Sequence, residues 1–242
     1  LTPSDCFDAA FWASKIALEH MTPVILLTDA FIANGSSAWR IPEPENYPDI
    51  HPPYVDQYKG TEKWRPYFRN EDTQVRYWAI PGQEGFQHRL GGLEKDYKTG
   101  AISTNPDNHA MMVATREAKV QAIARSIPEL EVYGDKDDAE LLLVGWGGTY
   151  GHLYDTMERM REKGKKVALA HFRFINPLPK NTIEVLMHYS KAVVVEQNLG
   201  QFALYLRSKV PGFQPLQYNR VTGQPLVVCD MVEEFMQMME EK

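Results

Sequence analysis

The sequence predicts an α/β protein with a mainly parallel sheet, on two observations. From Ala139 onward, short apolar runs alternate with amphipathic segments, the pattern of parallel strands joined by helices. Those runs, LLLV at 141–144 and AVVV at 192–195, lack polar alternation, as strands covered on both faces require. A third observation sets the middle of the chain apart. Between about Trp39 and Ala101, Pro42, Pro44, Pro48, Pro52, Pro53, Pro66 and Pro81 break any long helix, while Tyr54, Tyr58, Trp64, Tyr67, Phe68, Tyr77 and Trp78 supply apolar surface. A disordered linker would be poor in aromatic residues.

The first helix is predicted over Ser4–Met21, capped by Ser4 or Asp5, with Phe7, Ala10, Phe11, Ala17, Leu18 and Met21 on one face. PVILLTDA then reads as a buried strand, Val24 to Thr28. One helix and one strand enclose no core, so the pair is expected to be the last unit of an α/β domain. A chain opening at Leu1 inside a helix start is expected to be a piece of a longer protein. Residues 43–138 form an ordered, aromatic-rich arm with short strands such as QVRYWAI (74–80). It leads into a helix starting at NPDNHA, capped by Asp107 or Asn108, with Val113, Val120, Ile123, Ala124 and Ile127 as its stripe.

In region 139–242, strands are predicted at 141–144, 167–172 and 192–195, with helices at 149–163, 180–189 and 199–209. A short strand near Val227 and a helix from Asp230 to Glu241 follow. Tyr150, Leu153, Met157 and Met160 share one helical face, and Val232, Phe235, Met236 and Met239 another.

The formal charge of -6 excludes a nucleic-acid scaffold, which needs a basic stripe. No run approaches the roughly 20 apolar residues of a membrane span, and no signal peptide is expected. The two cysteines, Cys6 and Cys229, are too few for a four-cysteine iron–sulfur cluster and show no zinc spacing. They are expected to be free thiols of a cytoplasmic chain.

Four segments carry candidate chemistry. Gly145-Trp-Gly147-Gly148-Thr-Tyr-Gly151 follows a strand and opens a helix, where amides can hold an anion. Its spacing is not G-x-G-x-x-G, and the next strand, VALAHFRF, ends without an acid for a ribose. The expectation is therefore structural: Gly145 and Gly147 permit a tight turn, and Gly148 and Gly151 pack helix on sheet. The seven histidines show no metal spacing, and His171 alone ends a strand at the carboxyl edge of the sheet. Glu196, Asn198, Gly200 and Gln201 occupy a second strand-to-helix junction, where capping is the simpler role. The densest polar cluster is FQHRLGGLEKDYKTG. There His88, Arg89, Glu94, Lys95 and Asp96 bracket Gly91-Gly92 and could present charge to an anionic substrate.

Six blocks in order resemble the alpha subunit of the 2-oxoacid:ferredoxin oxidoreductases, in particular the 2-oxoglutarate branch. They are PSDCFDAAFWASKIALEHMTPVILLTDAFIANGSSAWRIP, FQHRLGGLEKDYKTGAISTNPDNHAMMV, LLLVGWGGTYG, INPLPKN, VVVEQNLGQFALYLRSK and VTGQP. The resemblance implies that residues 1–42 are the tail of a pyrimidine-side thiamine-binding domain. It implies that 43–138 are the arm and connecting helix, and that 139–242 are a three-layer domain resembling the transketolase C-terminal domain. It implies an enzyme using thiamine diphosphate and magnesium, passing electrons through an iron–sulfur cluster on a partner subunit to ferredoxin, and making acyl-coenzyme A. The implied partners are a beta subunit and gamma or delta subunits. The family's Y-P-I-T-P segment and its cofactor-activating glutamate are not in this sequence, so the chain alone is expected to be inactive and to hold no cofactor. One family position carries over, the acid of the Gly-Leu-Glu-x-Asp block, here Glu94 or Asp96, at the mouth of the active site. His88 and Arg89 are its neighbours. The contrasting expectation is a non-catalytic nucleotide- or coenzyme-binding module that uses the Gly145–Gly151 turn.

Overall fold

The computed structural model describes residues 1–240; Glu241 and Lys242, the end of the predicted last helix and of region 139–242, lie outside the described residues. The chain forms two compact units. A sheet unit comprises Leu1–Cys6, Leu27–Trp39 and the chain from Pro128 onward, and an arm unit comprises Phe7–Leu26 and Arg40–Ile127.

In the sheet unit, the strands are β1 (Val132–Gly134), β2 (Leu141–Trp146), β3 (Val167–Phe172), β4 (Ala192–Glu196) and β5 (Leu216–Asn219). Their order among the described residues is β1-β3-β2-β4-β5, parallel except for β1 on β3. The interior strands are apolar throughout because both faces are covered. Leu142, Val144, Ala168, Ala170 and Val194 face one cluster with Leu186 of α5 (Thr182–His188) and Phe202, Ala203 and Leu206 of α6 (Gln201–Lys209). Leu141, Leu143, Val167, Leu169 and Val193 face the other, with Leu153, Met157 and Met160 of α4 (Tyr150–Glu162) and Met231, Val232 and Phe235 of α7 (Val228–Glu240). Each fully buried leucine contributes roughly 1.5–3 kcal/mol, and these two layers hold the unit together. The three-layer α/β architecture predicted for this region is the one observed.

Two strands escape prediction. β1 and β5 are edge strands of three and four residues, and VYG and LQYN carry too little apolar pattern to signal themselves. The predicted strand near Val227 is not formed; Val227 immediately precedes α7.

Val24–Thr28 is not a strand either. A strand exists only by pairing with a neighbour, and among the described residues none lies beside it, so Ile25 and Leu27 are 84% and 65% exposed. The short α2 (Ala30–Ala33) follows, its first turn capped by the Asp29 carboxylate on Phe31 N–H.

In the arm unit, α1 (Asp5–His20, whose first two residues belong to the sheet unit) buries Ile16 and His20, while the predicted face residues Phe7 and Leu18 are exposed. Its start is held by Thr2, whose hydroxyl accepts the Asp5 N–H at 3.2 Å, not by a Ser4 or Asp5 side chain. α3 (Pro106–Ala122) is capped by Asn105, which accepts the Asp107 and Asn108 N–H groups, so the cap lies before the two residues predicted for it. A 3-10 turn, Ile123–Arg125, continues it. Met112, Ala122, Ile123 and Ile127 are its buried residues, whereas Val113 is exposed. QVRYWAI forms only isolated bridges, Arg76 to Arg69 and Trp78 to Tyr54. The proline-rich segment is held instead by contacts such as Trp78 Nε1 donating to Leu18 O at 2.8 Å and the Phe11 ring packing, tilted, against Tyr47.

The turn glycines divide their work differently from the prediction. Gly147 takes φ +61°, which a side chain disfavours, and so makes the turn. Gly145 is instead the close-packing position, since a Cβ there would collide with Leu153 Cδ1 and stand 2.8 Å from Thr149 Oγ1. A Cβ at Gly151 would meet no neighbouring atom within 4 Å outside its own helix backbone among the described residues. Gly145→Ala is therefore expected to cost about 1–3 kcal/mol, and Gly151→Ala to be neutral or to stabilise by up to about 1 kcal/mol. Urea midpoints measure both, and an unshifted Gly145→Ala midpoint would rule the contact out.

Candidate functional site

Open α/β sheets bind ligands at the carboxyl ends of their strands, where the strand order reverses. Here that point lies between β2 and β4, and the protein fills it itself. The Trp146 ring lies against Phe202 at 5.7 Å between centroids. The Glu196 carboxylate, wholly buried, accepts the Phe202 N–H at 2.8 Å and the Ala203 N–H at 2.9 Å, so it caps α6. Gly148, in the glycine turn, is approached by the Asp29 carboxylate, whose oxygens would lie 3.0–3.1 Å from a Cβ there. A phosphate at this turn would meet that negative charge.

His171 is buried beside the turn. Thr149 Oγ1 donates to Trp146 O at 2.8 Å, so it accepts from His171 Nε2, 3.2 Å away. The ring is therefore the Nε2–H tautomer, and its bare Nδ1 has no hydrogen-bond partner among the described residues. Burial first, then the nearby N-terminal amine and Arg173, push its pKa down to about 3. It is a neutral structural histidine.

The polar loop of the arm unit has a different character. Gly91 and Gly92 take φ +39° and +70°. Their carbonyls accept from Lys95 Nζ at 2.6 and 3.0 Å, so the 3% exposed lysine braces the loop from within. Asn108 of α3 clamps the segment that follows, accepting from Tyr97 N–H at 2.9 Å and donating to Lys95 O at 2.8 Å. This sets Glu94 against the same helix. His109 Nδ1–H donates to Glu94 Oε2 at 2.7 Å, and Arg116 Nη1 donates to Oε1 at 3.3 Å. The His109 hydrogen bond, with help from Arg116, holds the Glu94 carboxyl below the usual carboxylate range.

The four predicted residues do not converge. Only Glu94 joins a charged cluster. Asp96 folds its own turn, accepting from Thr99 Oγ1 and N–H at 2.7 Å and from Lys98 N–H at 3.1 Å, and the Thr99 bonds lower its pKa. His88 bonds the Phe86 carbonyl and lies edge-on to Trp64. Arg89 is exposed without an ion-pair partner among the described residues. His109 and Arg116 are the residues that sequence reasoning missed. Their seven-residue spacing on one helix was the available signal, since it puts both on one face. Glu94 orients the imidazole, leaving His109 Nε2 on the open side to take or give a proton, while Arg116 adds a positive charge.

Fold and site together define an α/β chain whose sheet crevice is self-filled and whose charged cluster lies on a separate, irregular unit. Residues 2–127 match the family model described as "Pyruvate flavodoxin/ferredoxin oxidoreductase, thiamine diP-bdg", and residues 139–227 match "Pyruvate:ferredoxin oxidoreductase core domain II". The first match alone covers more than half of the chain, and the chain belongs to this pyruvate flavodoxin/ferredoxin oxidoreductase family. It is 48% identical over 208 residues to the 2-oxoglutarate oxidoreductase subunit KorA of Mycobacterium tuberculosis, covering 86% of the chain and 31% of that protein. It is 31% identical to the alpha subunit of 2-oxoacid:ferredoxin oxidoreductase 1 of Aeropyrum pernix, covering 95% of the chain and 36% of the relative. Among solved structures, the 2-oxoglutarate:ferredoxin oxidoreductase of Magnetococcus marinus, with 2-oxoglutarate, coenzyme A and succinyl-CoA bound, superposes with TM-score 0.88 at 25% identity. That match covers 97% of this chain and 40% of that one. The chain thus spans about a third of the length of these curated relatives.

Proposed function

We propose that the chain is part of the alpha subunit of a thiamine diphosphate-dependent 2-oxoacid:ferredoxin oxidoreductase acting on 2-oxoglutarate and releasing CO2 and an acyl-coenzyme A. The 48% identity to a 2-oxoglutarate oxidoreductase subunit carries this reading, and the family model's thiamine description supports the cofactor. The proposed divisions are 1–42, the end of a thiamine-binding domain; 43–138, the arm and connecting helix; and 139–242, the transketolase C-terminal-like domain.

Bound thiamine diphosphate would supply the carbanion-stabilising centre for decarboxylation. This chain's residues do not assemble a site for its magnesium. Among the described residues, no three His, Cys, Asp or Glu side chains come together to hold a metal ion. The reading assigns the diphosphate, the magnesium and an iron–sulfur cluster to a beta partner, with ferredoxin as acceptor, in the cytoplasm. Among the described residues, no helix is long and apolar enough to cross a membrane.

Glu94, oriented by His109 and Arg116, is the acid we assign to the mouth of the active site. Asp96 is spent on its own turn, and His88 and Arg89 are subordinate neighbours. Coexpression with a beta subunit is expected to give 2-oxoglutarate-dependent viologen reduction that requires thiamine diphosphate and coenzyme A. No turnover with any 2-oxoacid would overturn the reading. In the active complex, Glu94→Gln is expected to lower kcat/KM about tenfold or more, with a smaller loss for Asp96→Asn. Equal losses in both would remove Glu94 from the role. The competing nucleotide module, which would use the Gly145–Gly151 turn, predicts saturable NADPH binding. Asp29 and the filled sheet crevice oppose it.

A further inference from the structure

Three cations of the arm unit, Arg69, Arg76 and Lys119, are partly buried with no carboxylate paired to them among the described residues. Arg69 and Arg76 face each other across an antiparallel bridge, and both guanidinium groups lie over the Tyr67 ring, 5.6 and 4.3 Å from its centroid. Arg69 also lies 4.6 Å over Tyr97. On α3, Met112, Arg116 and Lys119 recur at helical spacing and share a face. Arg69 Nη2 reaches Met112 Sδ at 3.4 Å, which sets that face against the arginine pair.

The bonds these cations make are to neutral groups. Arg69 Nη1 donates to Tyr67 O and Tyr97 O at 2.8 and 2.7 Å, and Lys119 Nζ donates to Met21 O at 2.7 Å. Arg76 makes one long bond, Nη1 to Pro66 O at 3.5 Å, leaving most of its fork unspent among the described residues. The carboxylate bound to this group is Glu94, which pairs with Arg116 and is shared with His109.

Holding like charges together half out of water is costly unless something pairs with them. The groups register that cost. Burial first, then Arg76, Arg69 and Arg116, push Lys119 down to about 8, and burial lowers Arg69 and Arg76. The tyrosine rings and carbonyls offset part of this cost but supply no negative charge, so the missing counter-charge points to a ligand.

We propose that Arg76, Arg116 and Lys119, backed by Arg69, bind a phosphate-class anion carrying at least two negative charges. A carboxylate is satisfied by one guanidinium fork, whereas a phosphoryl group takes donors from several directions and answers several cations. Free pyrophosphate and the diphosphate of an organic ligand present the same chemistry to this site. The site shares Arg116 with the Glu94 cluster but needs no thiamine chemistry, so anion binding and turnover are read separately.

Calorimetric titration of the intact protein with inorganic pyrophosphate at low ionic strength is expected to show saturable binding that weakens with added salt. Lys119→Gln and Arg76→Gln are each expected to weaken it about tenfold or more, and charge-retaining Lys119→Arg to restore it. The ligand-free melting temperature of Lys119→Gln is expected to hold or rise, because a repelling charge is removed; a purely structural lysine would lower it. Adenosine diphosphate binding as tightly as pyrophosphate assigns an organic ligand, and pyrophosphate alone a free anion. Absence of saturable binding, unchanged affinity in both Gln variants, or equal affinity for succinate overturns the proposal.

Discussion

Acidification from pH 7.5 towards pH 5 is expected to destabilise the protein, and His171→Gln to remove most of that sensitivity. The folded ring takes no proton until about pH 3, whereas the unfolded ring titrates near 6.5. Between those values the unfolded state binds more protons, so stability rises with pH and is complete above 6.5. At about 1.4 kcal/mol per pH unit, the loss by pH 5 is roughly 2 kcal/mol. For a chain of this size that lowers the melting temperature by about 4–8 °C. Burial also lowers His152 in the sheet unit and His20 in the arm unit, so a shallower slope of the same sign should survive in the variant. Melting curves for both proteins across this range decide the matter. A variant as acid-sensitive as the wild type would show that His171 is not the controlling group.

Glu196→Ala is expected to cost about 2–4 kcal/mol, from a surface-inaccessible side chain remote from the Glu94 cluster in sequence. Gly200, the residue before α6, has φ +90° and no side chain to cap the helix. The carboxylate from the end of β4 does that work for two N–H groups. Truncation leaves both donors buried and unpaired and removes a wholly buried side chain. Glu196→Gln keeps the volume and one acceptor, so its expected cost is about half as large. Urea denaturation provides the comparison. If the alanine variant lost less than about 1 kcal/mol, the cap would not be what holds the start of α6.

The two units differ in how far their residues announced their structure. Leu141–Val144, Val167–Phe172 and Ala192–Val195 were legible because a strand buried on both faces must be apolar at every position. The α4 face was legible because Leu153, Met157 and Met160 repeat at helical spacing. The capping role at Glu196 was also accessible from its place at a strand-to-helix junction. In the arm unit, few segments repeat long enough to carry such a signal. Glu94 was singled out within its loop, but its partners His109 and Arg116 stand 15 and 22 residues away. No local pattern encodes that meeting.

By itself, then, the sequence determined the α/β class, the three central strands, the helices that cover them and the absence of a nucleotide-type glycine fingerprint. Each follows from local periodicity and from the need to remove apolar side chains from water. Only the tertiary structure decided that, among the described residues, Val24–Thr28 has no strand beside it and Arg69, Arg76 and Lys119 gather without a counter-ion, and that Asp29 approaches the glycine turn. Strand pairing and charge neutralisation depend on which distant residues come together, and that is settled in space.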